Sequence, residues 1–227
     1  IPLAENPGVF MTGKQFVGDY AGQNLEDSWS FGGGLEYHFR FGASRNTCLE
    51  FDYSRVQYVS QTIVDYEQNN NAVWFYALDG NRSFADIYRV GFTVDPVKRF
   101  TVSAGFTYTD AKIELRGKGL ADKPMTSKFN GNVTLEYATA DDKWMFGLSA
   151  SVYGPCRVYD FMERLEDENG NRLYPGGMTP VYPQLDARVT KRFRKLELYV
   201  GGENLTDFRQ EYQVIGPKGQ DGIINPR

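Results

Sequence analysis

Eight segments of the chain alternate apolar and polar residues with a period of two, and this pattern constrains the fold more than any other feature of the sequence. In residues 31–41, for example, Phe31 and Leu35 share one side of the repeat, whereas Glu36 and Arg40 lie on the other. Such a repeat is typical of β-strands with two unlike faces. The remaining segments are residues 48–53, 88–94, 100–108, 129–137, 144–152, 185–193 and 196–202. The sequence therefore predicts an all-β protein of about eight strands.

The apolar faces of these segments are almost free of charge. Lys191 is the one charged residue on them, whereas acidic and basic residues recur on the opposite faces. A soluble β-sandwich seldom needs eight strands that each carry several successive apolar side chains, so the pattern favours lipid on one face and water on the other. In segment 48–53 the next position on the apolar face is Arg55. We expect a β-bulge or a strand end there.

The connections between the segments alternate in length. Short turns are predicted at residues 42–46, 95–99, 139–143 and 194–195, and long polar segments at residues 68–82, 117–124, 160–182 and 209–227. Outer-membrane barrels sort their connections in this way, with short turns on the periplasmic side and long loops outside the cell. A soluble meander has no reason to do so.

Aromatic residues recur beside the short turns. Phe41, Phe100, Trp144 and Phe193 all lie on apolar faces next to such a turn. Rings at one level are expected of an interfacial girdle, because amphipathic aromatic side chains prefer the headgroup zone. A soluble core packed with large rings is the alternative.

Composition excludes several classes. The mean hydropathy is −0.49, and no run of 18 apolar residues exists, so a helical membrane protein is excluded. The net charge of −4 and the pI near 5.2 argue against a nucleic-acid partner.

The chain offers little catalytic chemistry. His38 is the only histidine and lies in mid-strand, where a place on a polar barrel wall is expected. Cys48 and Cys156 are too few for a disulfide scaffold or a zinc site, and they fall near opposite ends of the predicted strands. The sequence predicts no catalytic group, no cofactor and no metal site, and so no enzyme.

In hydrocarbon, strands can span only as part of a closed barrel, since every backbone polar group must be paired within the protein. The fold class predicted is an antiparallel transmembrane β-barrel. Eight strands could form a complete small barrel with a structural or adhesion role. The direction of the first strand, toward a short turn, instead favours a piece of a larger barrel. We expect residues 1–27 and 209–227 to be extracellular loops and residues 28–208 to form eight strands in hairpins.

Three stretches resemble a known family. The sequence Gly-Gly-Glu-Asn-Leu-Thr-Asp at residues 201–207 is similar to the segment near the end of TonB-dependent receptor barrels, and residues 182–189 resemble that family's penultimate hairpin. Residues 84–92 followed by residues 100–105 resemble another hairpin of that family. Such receptors are outer-membrane barrels of about 22 strands with a plug in the lumen. The resemblance implies that this chain holds late barrel strands, without the plug and without the closing strand.

The resemblance also implies a function and partners. The function expected is active import of a scarce nutrient, such as a ferric chelate, haem, cobalamin or a glycan, across the outer membrane of a Gram-negative bacterium. The expected partners are outer-membrane lipid, the protein's own plug domain, a TonB-type energising protein and a surface lipoprotein.

Two groups of site residues follow. In the family interpretation, polar-face residues would line the lumen or face the plug, although salt bridges between neighbouring strands are the alternative: Glu36, Arg40, Arg89, Glu136, Asp186, Arg188 and Glu197. Substrate contact is expected from aromatic residues of the outer loops, some of which could instead close those loops: Trp74, Phe75, Tyr76, Tyr174 and Tyr182.

Overall fold

The computed structural model describes residues 15–18, 26–41, 44–69, 72–78, 80, 82–167 and 169–209. Twelve strands lie in this part of the chain: β1 (Gln15–Gly18), β2 (Asp27–Phe41), β3 (Ser44–Ser60), β4 (Thr62–Asn69), β5 (Ala72–Ala77), β6 (Ser83–Val97), β7 (Phe100–Leu115), β8 (Gly119–Asp122), β9 (Phe129–Ala138), β10 (Trp144–Tyr153), β11 (Tyr182–Arg192) and β12 (Glu197–Gly202). A single-turn helix, α1 (Asp160–Glu163), and a 3₁₀ turn (Pro175–Gly177) lie between β10 and β11. In the described residues, no helix combines the length and apolarity that a membrane crossing requires.

Eight long strands form one antiparallel sheet, here called the main sheet. Its order is β12-β11-β10-β9-β7-β6-β3-β2, and the short β8 pairs with β7. Each predicted segment coincides with one of these eight strands, to within one residue at Phe193 and Leu196, so the predicted strands are confirmed. In the described part of the chain β2 and β12 do not pair, and the main sheet has two free edges. A closed barrel of these eight strands is therefore not what the structure shows.

The register keeps the two kinds of face apart across the whole main sheet. Directly paired residues share a face, as Leu35 does with Phe51 and as Phe51 does with Val90. Large apolar side chains on this apolar face are exposed, with 69% of Leu35 and 78% of Val200 accessible. No second layer of described residues covers these side chains of the apolar face.

Aromatic rows bound the apolar face. On the side of the short turns, Phe41, Trp144 and Phe193 are exposed and Phe100 is half-buried; their place in an interfacial girdle stays a prediction. At the end of the strands away from the short turns, a second aromatic row crosses the sheet. Tyr53 pairs with Tyr88, Tyr88 with Tyr108, and Tyr108 with Phe129. Eight residue steps from Phe100 to Tyr108 span about 27 Å along the strand. With a tilt of about 40°, the height between the rows is about 20 Å, which is near the apolar band of an outer-membrane barrel.

On the apolar side of the main sheet, the pair Arg55 and Asp86 lies just beyond the second aromatic row. This pair corrects one prediction. We expected a bulge or strand end at Arg55, but β3 continues to Ser60 and its pairing is regular there. Arg55 Nη1 lies 3.0 Å from Asp86 Oδ2, and its guanidinium stacks 4.3 Å above the Phe84 ring. Because Asp86 neutralises the charge of Arg55 on the same side of the sheet, β3 can keep regular pairing at this position. The bulge prediction was wrong.

The segments predicted as long loops contain structure of their own. β4 pairs with β5 and β5 runs parallel to β1, which forms a second sheet, here called the small sheet. β5 is apolar on both faces, with Val73 and Phe75 buried on one side and Tyr76 on the other. Such a sequence is typical of a buried strand and cannot remain a solvated loop. Residues 1–14, 19–25 and 210–227 of the predicted terminal loops lie outside the described residues.

Candidate functional site

The small sheet packs on the outer end of β7. Ile63, Tyr76 and Leu78 form a buried cluster with Ile113 and Leu115, which lie beyond the apolar part of β7. A second cluster between β10 and β11 joins Val158, Met162 and Tyr174. We call the small sheet, α1 and residues 154–181 the loop assembly. It carries a core of its own above the main sheet.

Glu67 joins three segments of the loop assembly. Its side chain is only 1% exposed, and Arg157 Nη2 donates to both of its carboxylate oxygens, at 2.9 and 2.8 Å. Lys118 Nζ lies 3.1 Å from the same carboxylate and also pairs with Asp160, which accepts from Arg157 at 3.2 Å. The ion pairs connect β4, the segment after β7 and the start of α1, so the three segments are held as one body.

Burial and charge act on these carboxyl groups in opposite ways. Burial raises the pKa of Glu67 above its ordinary value, despite the nearby Arg157 and Lys118. Burial also opposes ionisation of Asp160, but the hydrogen bond to Lys118 and the charges of Lys118 and Arg157 outweigh it and lower that pKa. Glu67 therefore retains its proton more readily than Asp160 does.

A second polar group lies beside the first. Tyr76 donates its hydroxyl to the buried Asp65 at 2.9 Å, and the guanidinium of Arg116 stacks 4.2 Å above the Tyr76 ring. Gln68 Nε2 donates to Asp65 at 3.0 Å and to the Arg116 carbonyl at 2.8 Å. Desolvation raises the pKa of Tyr76 to about 12, so the phenol remains protonated and remains a donor. These bonds fix the small sheet to the end of β7.

A cavity of about 460 Å³ opens between the small sheet and the outer end of β7. Tyr58, Asp65, Glu67 and Tyr159 are among its lining residues. Two of its acidic groups, Asp65 and Glu67, already have hydrogen-bond partners within the protein. The cavity is a polar recess at the outer end of the strands.

The aromatic residues predicted to contact substrate have different surroundings. Phe75, Tyr76 and Tyr174 are buried, with 2%, 5% and 1% exposed, and contribute to the cores of the loop assembly. Trp74 is half-buried, and Tyr182 is stacked between two other rings, those of Tyr153 at 4.7 Å and Phe208 at 5.6 Å. The structure does not gather these five residues into one surface. Their contact with substrate stays a prediction.

Sequence reasoning missed Glu67, Lys118, Arg157 and Tyr159. Glu67 and Arg157 are 90 residues apart, and each resembles any charged loop residue. The one available signal was the apolar stretch of β5, which indicates that the surrounding loops have a core.

The residues predicted for the polar wall share one face of the main sheet. Pairing places Glu36 opposite Glu50, Glu136 opposite Gly147, and Gly147 opposite Arg188. Arg89, Asp186 and Glu197 follow on the same face by the alternation of their strands. Arg40 falls at the register shift between Phe39 and Phe41. Orientation toward a lumen or a plug stays a prediction for all seven.

Local bonds account for some of this polar face. Arg192 Nε lies 3.0 Å from Glu197, and Asp186 accepts the backbone N–H of Asn204 at 2.8 Å. Asn204 has a φ of +50° and closes the turn after β12 by accepting from the Phe208 N–H at 3.1 Å. The Asn-Leu motif therefore stabilises a strand end, which is a structural role.

No protein-family profile matches the sequence, and a comparison with curated proteins found no match. Among solved structures, a variant of the ferric enterobactin receptor PfeA from Pseudomonas aeruginosa matches with a TM-score of 0.58 and 16% identity, over 83% of this chain and 26% of that one. The ferric citrate transporter FecA in its unliganded form matches with a TM-score of 0.56 and 17% identity, over 81% and 26%. The chain has the fold of a TonB-dependent receptor barrel.

The TonB-dependent receptor resemblance seen in the sequence is thus confirmed at the level of fold. The chain spans about a quarter of the length of the structures that it matches, 26% in each case. A part of a barrel explains why the main sheet has two free edges. It also explains the exposed apolar face, since in a barrel of this type that face meets lipid. The matched structures are named as a receptor and a transporter.

Proposed function

We propose that this chain is part of an outer-membrane receptor that binds a scarce nutrient outside the cell and imports it with energy relayed from the inner membrane. The observation that carries the proposal is the structural match of 83% and 81% of this chain to a ferric enterobactin receptor and a ferric citrate transporter. A ferric chelate is the substrate class that this supports best. The inferred location is the outer membrane of a Gram-negative bacterium.

The arrangement of the chain fits such a receptor. Residues 28–208 supply barrel strands, and residues 1–27 and 209–227 belong to extracellular loops. The polar face lines the lumen and meets a plug domain, and a TonB-type protein acts through the plug. The loop assembly lies at the outer end of the strands, where a ligand arrives. Of the five predicted contact residues, Trp74 and Tyr182 are only half-buried. A surface lipoprotein is a further partner of the receptor.

Uptake by cells tests this proposal. A strain that lacks the gene should lose growth on one or a few ferric chelates when iron is scarce, and the full-length gene should restore it. Deletion of the TonB-type protein should abolish the same growth. A strain that grows equally on every iron source and binds no radiolabelled ferric chelate at its surface would contradict the proposal. Substrates of the haem, cobalamin and glycan classes belong in the same screen.

A further inference from the structure

Four side chains with metal-binding chemistry meet on the polar face of the β2–β3 hairpin. Glu36 pairs directly with Glu50, and His38 pairs directly with Cys48. The two pairs are adjacent on the same face, because residues two apart on a strand point the same way. The hairpin thus presents a rectangle of two carboxylates, an imidazole and a thiol near the short turn between the strands.

The donor atoms are close together. Cys48 Sγ lies 3.4 Å from Glu36 Oε1 and 3.6 Å from Glu50 Oε1, and His38 Nε2 lies 2.7 Å from Glu36 Oε1. The donor atoms of Glu36, His38 and Cys48 all lie within 4.8 Å of one another. Ligands about 2.0–2.3 Å from a tetrahedral zinc ion are about 3.3–3.8 Å apart. Shifts of about 1 Å in exposed side chains are therefore enough to form a coordination shell.

The chemistry of the four groups favours a divalent transition metal. Thiolate, imidazole and carboxylate together suit Zn²⁺, which is borderline-soft and has no geometric preference of its own. Like charges directly opposite each other across two strands are destabilising. Of the described residues, His38 is the one basic group in ion-pair contact with Glu36 or Glu50. A bound cation would remove the repulsion between the two carboxylates.

The surroundings leave room for the site and access to it. A Cβ at Gly91 would lie 3.0 Å from Glu50 Oε2, so the glycine leaves space for that carboxylate. Cys48 is buried, whereas the side chains of His38 and Glu36 are 64% and 58% exposed. The sulfur is therefore the buried donor of the group, and the side chains of His38 and Glu36 lie on its solvent-accessible side.

We propose that Glu36, His38, Cys48 and Glu50 form a binding site for a divalent transition-metal ion of the zinc class on the polar wall of the barrel. Counting cysteines along the sequence does not find this site, because strand pairing brings its ligands together from two strands. The site goes beyond the proposed import of a nutrient and is tested by binding alone.

The experiment uses the full-length receptor, purified in detergent with a reductant present. Titration with Zn²⁺ against a chromophoric chelator should show one tight equivalent. Co²⁺ should give tetrahedral visible bands and a thiolate-to-metal charge-transfer band. Cys48→Ser should abolish that band and weaken zinc binding by about 100-fold or more. His38→Gln and Glu50→Gln should each weaken binding by at least about 10-fold.

Matched controls separate this site from others. Cys156→Ser removes the other thiol, and Asp52→Asn removes the next carboxylate on the same face of β3; both should bind zinc as the parent protein does. Heat-modifiable migration on gels verifies that each variant is folded. The proposal is overturned by a parent protein that binds no zinc, by Co²⁺ spectra without a thiolate band, or by unchanged affinity in folded His38→Gln. These outcomes leave the import proposal unaffected, because growth on ferric chelates is measured separately.

Discussion

The main sheet and the loop assembly place their apolar side chains in opposite ways. On the main sheet, Trp29, Leu35 and Val200 are 72%, 69% and 78% exposed. In the loop assembly, Val73 and Met162 are fully buried. Apart from Cys48 and Val94, the buried apolar residues of the described part lie in the loop assembly, at Leu78 or at the outer end of β7. The main sheet leaves one apolar face uncovered, as the proposed contact with lipid requires, whereas the loop assembly buries its apolar side chains in a core.

The comparison shows that two solvents act on one chain. In lipid, backbone hydrogen bonds between strands carry the stability, and an exposed leucine costs nothing. In water, the loops need a core and paired charges to hold a shape. The following predictions test this division, and they run from the largest expected effect to the smallest.

Met162→Ala should open the loop assembly and leave the main sheet intact. Met162 is fully buried between Val158 and Tyr174, and truncating such a side chain costs about 2–5 kcal/mol. Limited proteolysis with mass spectrometry should show faster cleavage in residues 154–181. Val181→Ala, at a residue that is 47% exposed, is the control and should cleave as the parent does. Loss of the heat-modifiable barrel in Met162→Ala would show that the two regions are not separate.

A charge on the apolar face should be far more harmful than one on the polar face. Leu148 and Ser149 are neighbours in the middle of β10 that point to opposite faces. Leu148→Arg should destabilise the barrel by about 2–4 kcal/mol, because the arginine would lie in hydrocarbon, whereas Ser149→Arg should have a small effect. Urea titration of the receptor refolded into lipid vesicles measures both. Equal destabilisation would contradict the assignment of the apolar face to lipid.

The partners in the Glu67 ion pairs should respond unequally to substitution. Arg157→Met leaves the buried Glu67 carboxylate with Lys118 as its remaining ion-pair partner and should cost about 2–3 kcal/mol of loop stability. Glu67→Gln removes the group that burial disfavours, so its cost should be about 1 kcal/mol or less. Hydrogen exchange of β4 and β5 amides reports loop opening in each variant. A larger loss in Glu67→Gln than in Arg157→Met would contradict this order.

The shifted pKa values of Glu67 and Asp160 predict that the stability of the loop assembly depends on pH. Because the pKa of Glu67 is raised from 4.5 on folding, its contribution to stability is present below pH 4.5 and is lost as the pH rises through the raised value. Asp160 has the opposite sign, since its lowered pKa gives stability that is lost as the pH falls below 3.8. Hydrogen exchange above pH 4.5 should therefore show loop protection that declines with pH in the parent and is flat in Glu67→Gln. Equal slopes would assign the dependence to another group.

Lys191 should be nearly neutral to replacement, although it is a charge on the apolar face. Its Nζ lies 4.0 Å from the centre of the Trp144 ring, beside a short turn, so the ammonium can reach the headgroup zone. Lys191→Leu should change stability by about 0.5–1 kcal/mol, the size of an exposed cation–π contact. The fluorescence emission of Trp144 should shift slightly in this variant, because the ammonium group no longer lies over its ring. A loss as large as that of Leu148→Arg would place Lys191 deep in the lipid.

Much of the fold could be predicted from the sequence. The eight strands of the main sheet, their short turns and the sharing of polar residues such as Glu36 and Arg188 on one face follow from alternation. The small sheet was missed, although Val73 and Phe75 in β5 carried an apolar signal on both faces. The predicted bulge at Arg55 was wrong because Asp86, which is 31 residues away, pairs with the arginine.

The candidate sites were harder to predict. Phe75, Tyr76 and Tyr174 were chosen as rings in polar loops, and only tertiary packing shows that they are buried. Glu67 and Arg157 carry no local mark of their pairing. The group of Glu36, His38, Cys48 and Glu50 depends on the register of two strands, which alternation does not specify to the residue.

By itself, the sequence determined which side of each strand is apolar, because a repeat of two is written into neighbouring residues and needs no partner. The tertiary structure decided which residues face each other across strands and which loop residues share a core. The reason is physical: hydrogen bonds and burial join residues up to 93 positions apart, and their free energy appears only once the chain has brought them together.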